Sequence, residues 1–439
     1  MVDKINKKKL YKTMKNTLFS RDFTLVAIGQ IISVFGNQIL RYALPLYLLN
    51  QTGSAALFGT ILACSFIPML LLFPVGGIIA DRVNKRNIMV ILDFSTALLI
   101  FMFYMLSGKM DIVPLMAITM IILYGIQGAY QPAVKASVPI LVKTEHLMQA
   151  NSIVDMINSL SSMAGPVIGG ILFSIVGLVP ILYVSICCFF VSAVMEIFIH
   201  IPFEKRQTKE NIFATGLSDL KESFGFMFKK QPVLWKVSLI FSSTNLFLTS
   251  LVLIGVPVII TQHLGFPLDT ANRLYGYAQG IIVAGCVLGG FLAGLLSNKL
   301  TLKTSPFILA GCALSMLLGG IALQTLGSAP MAIYIIMLIG CALLLVLSTL
   351  FQIQIMTYLQ ILTPKKLTGK VISCVMCVCM CTNPLGQFIY GIVFENIGSI
   401  TYLPFYVATL IMIIISIFTR PIFYGMDHLI KEQTSEKIF

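Results

Sequence analysis

Asp93, Lys135 and Asp155 each stand inside a run of apolar residues. A charged side chain in a hydrocarbon interior costs about 2.5–3.5 kcal/mol on insertion scales unless it is paired, hydrated or neutralised. At 1.5 Å of rise per residue, Asp93 lies about 10 Å along its helix from Arg86. Lys135 and Asp155 fall at similar depth on antiparallel segments, so a cluster of the three is expected. It could be a structural ion pair, or it could hold a carboxylate that takes up and releases a proton. Arg41 is a fourth such residue. Gln30, Ser33, Asn37 and Arg41 recur at three- and four-residue steps and share one helix face. That face is expected to line a central cavity. Arg41 then contacts an anionic ligand group, stands in cavity water, or snorkels to the nearer interface. Glu196 lies near a helix end and is expected to snorkel. Further polar residues in apolar runs, Asn158, Asn245, Tyr275, Gln279 and Asn383, either line a cavity or bond a neighbouring helix.

Covalent and metal chemistry find little support. Cys374, Cys377, Cys379 and Cys381 form the densest group among 10 cysteines, but no His or acid accompanies them, and packing is the expected role. The 4 histidines sit near helix ends or in tails and form no metal-ligand pair. No G-x-x-x-x-G-K-S/T phosphate loop occurs. An enzyme and an ATP-driven pump are both disfavoured, and no metal or cofactor is expected.

The elements that must position these residues follow from hydropathy. The chain has 439 residues, 57% hydrophobic and 11% charged, and a mean hydropathy of +0.93. That composition excludes a soluble globular enzyme, a disordered chain and a nucleic-acid-binding domain. Apolar runs long enough to cross a bilayer lie near 23–49, 54–80, 87–107, 112–140, 150–176 and 179–201. Six more lie near 234–260, 275–297, 304–325, 330–360, 368–394 and 400–424. The expected organisation is a basic tail (1–22), a six-helix bundle (23–201), a polar linker (202–233), a second six-helix bundle (234–424) and a polar tail (425–439). Of the 30 Lys and Arg residues, all but Lys109, Arg273 and the intramembrane Arg41 fall on one side when the N-terminus is placed there. The positive-inside rule makes that side cytoplasmic, so both termini are expected inside.

The halves echo each other. Gly77, Asp81, Arg82 and Arg86 recur as Gly294, Asn298, Lys299 and Lys303 at one constant offset. Parallel repeats of this kind imply two pseudo-symmetric bundles. The segment Gly77-Ile78-Ile79-Ala80-Asp81-Arg82-Val83-Asn84-Lys85-Arg86 resembles the loop signature G-x-x-x-D-R-x-G-R/K-R/K of the major facilitator superfamily. Asn84 replaces the usual glycine, and a left-handed backbone there is tolerable for Asn. The resemblance implies a conformational gate formed by Gly77, Asp81, Arg82, Lys85 and Arg86. Ser161–Gly170, with Gly165, Pro166, Gly169 and Gly170, resembles the fifth-helix motif of the superfamily's drug:proton antiporters.

Together with Gly29-Gln30, Ala43-Leu44-Pro45, Thr52-Gly53-Ser54 and Gln131-Pro132-Ala133, these stretches are similar to the macrolide-efflux-type exporter subgroup, with siderophore exporters as relatives. The resemblance implies an all-α polytopic membrane protein of twelve transmembrane helices. It also implies secondary active transport by alternating access, driven by the proton gradient, in a bacterial cell membrane. The expected substrate is an amphipathic small molecule. Alternatives are a specific metabolite, siderophore or lipid, or a non-transporting receptor on the same fold. The expected partners are that small molecule and membrane lipids, with no nucleic acid, and the chain is expected to be a monomer. Asp93, Asp155 and Lys135 are the candidates for proton coupling. One departure matters. Many such antiporters carry a span-four arginine three residues before Gln-Gly, whereas Tyr124 stands before Gln127-Gly128 here.

Overall fold

A computed structural model describes residues 20–143, 146–201, 225, 227–228, 231–296, 300–327, 329–363 and 368–435. All regular structure among them is helical. Lipid offers no partners to backbone N–H and C=O groups, and a helix satisfies them within one segment. Twelve helices are long and apolar enough to span a membrane. They are α1 Arg21–Thr52, α2 Ala55–Arg82, α3 Lys85–Leu106, α4 Ile112–Leu141, α5 Leu147–Val176 and α6 Leu178–Ile197. Then come α7 Pro232–His263, α8 Leu268–Leu295, α9 Ser305–Thr325, α10 Pro330–Leu362, α11 Thr368–Asn396 and α12 Leu403–Ser435.

Hydropathy placed every one of these helices, with local differences. α8 begins seven residues before its apolar run, because its first turn, with Asp269, is polar yet helical. α12 continues to Ser435 through polar residues, where Leu, Lys, Glu and Gln are good helix formers. α7 is not uniform: π-helical turns at Asn245–Thr249 and Ile259–His263 interrupt it. Asn84 is also not left-handed. Its φ of −60° and ψ of 117° are extended, and its side chain accepts from Arg86 N at 3.0 Å, capping α3. The loop signature therefore ends in an N-cap rather than a glycine-type turn. A left-handed residue is needed at Gly177 (φ 73°), which alone connects α5 to α6.

The described residues group into two compact units: those within Met1–Gln51 and Cys64–Lys209, and those within Thr52–Ala63 and Glu210–Phe439. In the first unit, apolar side chains of α1, α3, α4 and α5 form a dry cluster that includes Phe23, Met89, Tyr130, Val134 and Val154. In the second, Phe351, Phe405 and Phe423 are fully buried.

Glycine sets how closely the helices of the first unit approach. A Cβ on Gly165 would lie 2.5 Å from Gln38 Cβ, and one on Gly169 would lie 3.2 Å from the Tyr42 ring. The antiporter-type motif thus seats α5 directly on α1. Beside it, Gln38 Nε2 donates to Ser162 Oγ at 2.7 Å. Gly165→Val should lower the unfolding free energy by about 1–3 kcal/mol, because neither helix can yield without moving backbone. Gly290→Ala is the control, since nothing lies within 4 Å of its Cβ position. Equal melting temperatures for both purified variants would refute this packing role.

Candidate functional site

The polar stripe on α1 meets a matching stripe on α4. Tyr124, Gln127, Tyr130 and Gln131 recur at helical spacing, and the two faces pair in order. Gln30 Nε2 donates to Tyr130 Oη at 2.6 Å. Ser33 Oγ lies 3.5 Å from the same oxygen. Arg41 Nη1 donates to Gln127 Oε1 at 2.8 Å, and its guanidinium carbon sits 4.2 Å from the Tyr124 ring centroid. Gln30 and Ser33 are buried. The stripe expected to face a central cavity is therefore engaged with α4 inside the first unit.

Arg41 does not snorkel. Its planar cation rests on an aromatic face, which attracts it electrostatically, and Gln127 fixes its edge. The ring beneath it is Tyr124, the residue standing where many relatives have an arginine. Arg41 of α1 thus packs directly on this α4 position.

Behind Tyr130 lies a group that sequence reasoning placed wrongly. Glu196 is not snorkelling; it is 0% exposed. Tyr130 Oη donates to Glu196 Oε1 at 2.7 Å, while Glu196 Oε2 has no hydrogen-bond partner. Tyr130 of α4, itself bonded by Gln30 of α1, holds it.

Asp93 of α3 belongs to the same cluster. It is 3% exposed, lies within hydrogen-bonding reach of Ser192, and has an Oδ2 with no partner. Ser192 in turn donates to Gly29 O at 3.2 Å. As anions Asp93 and Glu196 repel each other, and among the described residues no Lys, Arg or His acts on either. A small cavity of ≈ 20 Å³ adjoins Asp93, lined also by Ser33, Asn37, Thr96, Gln127 and Tyr130. Two acids buried without a cation are costly as anions.

The structure does not assemble the expected Asp93–Lys135–Asp155 cluster. Lys135 and Asp155 are both exposed, and neither forms an ion pair with Asp93. Their exposed positions turn them away from the buried Asp93. The side chains of Gly77, Asp81 and Arg82 lie outside the described residues. Arg86 donates to Ile197 O at 3.4 Å, at the end of α6, where the helix dipole favours a cation. Several other polar candidates bond within or between helices. Asn158 Nδ2 donates to Val154 O at 3.0 Å. Asn245 Nδ2 donates to Cys379 O at 3.4 Å. Gln279 Nε2 donates to Tyr275 Oη at 2.9 Å, and Asn383 O accepts from Ser250 Oγ at 3.5 Å.

Comparison with known proteins agrees with this architecture. The chain is 22% identical to macrolide efflux protein A of Streptococcus pyogenes over 86% of its own length and 90% of the relative's. It is 25% identical to an enterobactin exporter of Shigella boydii, covering 80% of this chain and 79% of that one. Among solved structures, a bacterial homologue of the iron transporter ferroportin superposes with a TM-score of 0.67 at 16% identity, over 93% of this chain and 99% of that one. A bacterial homologue of the lysosomal transporter Spinster gives 0.66 at 13% identity, over 95% and 98%. These relatives are transporters and not enzymes. The profile of the Major Facilitator Superfamily matches residues 26–381, and with twelve spanning helices this chain is a multi-pass membrane transporter belonging to that superfamily.

Proposed function

We propose that the chain exports amphipathic small molecules of macrolide-like character from the cytoplasm by alternating access, drawing on the proton gradient. The observation that supports this reading is the pair Asp93 and Glu196, both buried beside Tyr130 with no cation near either among the described residues, Glu196 being hydrogen-bonded to Tyr130. A proton arriving at such a pair removes a large desolvation cost, and its departure restores that cost. A step of this kind biases a two-state equilibrium and couples it to the gradient. The similarity to macrolide efflux protein A supports the substrate class. A second reading, export of a siderophore, is favoured by similarity to an enterobactin exporter and to a staphyloferrin A transporter.

The test is uptake into everted vesicles containing the chain. Accumulation of a labelled macrolide should rise when the lumen is acidified and collapse with a protonophore. A catecholate siderophore in the same assay separates the two readings. Uptake of either compound that ignores the proton gradient would end the coupling proposal. Both termini are placed in the cytoplasm, supported by the one-sided distribution of Lys and Arg. A cysteine introduced between 205 and 229 should resist an impermeant reagent in intact cells, while one at 109 should react; the reverse pattern would invert the topology.

A further inference from the structure

We infer that the cavity beside Asp93 is a binding site for a single dehydrated monovalent cation of the Na+ class. The inference deepens the coupling reading above, because it makes such a cation a competitor of the proton at Asp93.

Size comes first. The cavity offers ≈ 20 Å³ to a water-sized sphere, enough for one water or one bare ion and too little for any organic substrate. Its chemistry comes next. Asp93 Oδ2 and Asn37 Oδ1 are both buried with no hydrogen-bond partner, and both residues line the cavity from different helices. The neighbouring hydroxyls have their protons engaged elsewhere. Thr96 Oγ1 donates to Leu92 O at 2.8 Å, and Tyr130 Oη donates to Glu196 Oε1 at 2.7 Å. What Thr96 can still offer is an oxygen lone pair, whereas Tyr130 Oη already accepts from Gln30 Nε2 at 2.6 Å. Unengaged oxygens from a carboxylate, an amide and a hydroxyl are the ligand type of hard cations.

Charge selects among hard cations. One carboxylate faces the cavity. Glu196 stands behind Tyr130 and does not line it, and Arg41 is held on Gln127 and Tyr124. Among the described residues no group of three or more His, Cys, Asp and Glu exists that could hold a metal ion. A single negative charge suits a monovalent ion, not a divalent one. A water could bridge Asp93 and Asn37, but it would leave the charge of a carboxylate only 3% exposed uncompensated. A cation answers both needs.

The experiment is binding of radiolabelled Na+ to the purified full-length protein in alkaline buffer, read by scintillation proximity. Saturable binding is expected, displaced by unlabelled Na+ but not by choline, and reduced in acid as protons compete. The other titratable groups packed around Asp93 are Tyr130 on α4 and Glu196 on α6. Asp93→Asn should abolish binding and Asn37→Ala should weaken it roughly tenfold, about 1.4 kcal/mol. Asp269→Asn, which removes an exposed acid elsewhere, should leave it unchanged. Circular dichroism and gel filtration confirm that each variant is folded. Absence of saturable Na+ binding by the wild type, or binding that survives Asp93→Asn, would overturn the site. The proton reading is judged separately, by gradient-driven uptake in Na+-free buffer. Uptake there with no Na+ binding leaves proton coupling standing and removes the cation site. Na+ binding without proton-driven uptake does the opposite.

Discussion

Arg41→Gln protein is expected to reach the membrane in normal amounts and to lose at least about tenfold of its efflux rate. The side chain makes a charge-assisted hydrogen bond to Gln127 and a cation–π contact with Tyr124. Such contacts contribute about 1.5–3 and 0.5–2 kcal/mol respectively. Each 1.36 kcal/mol withdrawn from the transition state is a factor of ten in rate. Expression should survive because removing a cation from an apolar span relieves insertion cost. Arg41→Lys should be intermediate, since an ammonium keeps the charge but loses the planar fork that stacks on the ring while bonding the amide. Initial rates of macrolide uptake in everted vesicles, normalised to protein, decide the matter. Wild-type kinetics in Arg41→Gln would reduce the residue to a structural contact.

Glu196 should divide stability from coupling. Glu196→Gln preserves shape and still accepts from Tyr130, so its thermal unfolding should match or exceed that of the wild type. Its gradient-driven uptake should nevertheless fall to the level seen with a protonophore, because an amide cannot take up and release a proton. Glu196→Ala should behave differently. It removes the acceptor of the buried Tyr130 hydroxyl proton and opens a cavity, costing about 2–5 kcal/mol and lowering the melting temperature. Full proton dependence in Glu196→Gln would show that this acid only fastens α6 to α4.

The helices were legible because each span's hydropathy is a local property of about twenty residues. The α1 stripe was legible for the same reason: Gln30, Ser33, Asn37 and Arg41 announce a common face by spacing alone. What spacing could not give was the partner. The matching α4 stripe, Tyr124, Gln127, Tyr130 and Gln131, is equally periodic, and placing the two side by side would have pointed to the site. Glu196 carried no comparable signal. Its burial depends on Tyr130, 66 residues away in sequence, reaching it across the bundle. Lys135 and Asp155 failed in the other direction. Depth along a helix follows from counting, whereas rotation about the axis follows from packing, and both turn outward. Asn84 shows the same limit on a smaller scale, since the turn it enters is fixed by its bond to Arg86 N rather than by its tolerance for an unusual backbone.

The glycine contacts of the first unit also have a mechanical meaning. A Cβ on Gly76 would lie 2.7 Å from Ala129 Cα, one on Gly128 would lie 2.6 Å from Met69 O, and one on Gly165 would lie 2.5 Å from Gln38 Cβ. At these crossings α2 meets α4, and α5 meets α1, with almost no side chain between the backbones. Side chains are the springs of a protein interior: they hop between rotamers and let neighbouring helices slide. Where they are missing, a push on one helix is passed to the next undiminished. The pairs α2 with α4 and α5 with α1 are therefore each joined by a stiff contact at their crossing.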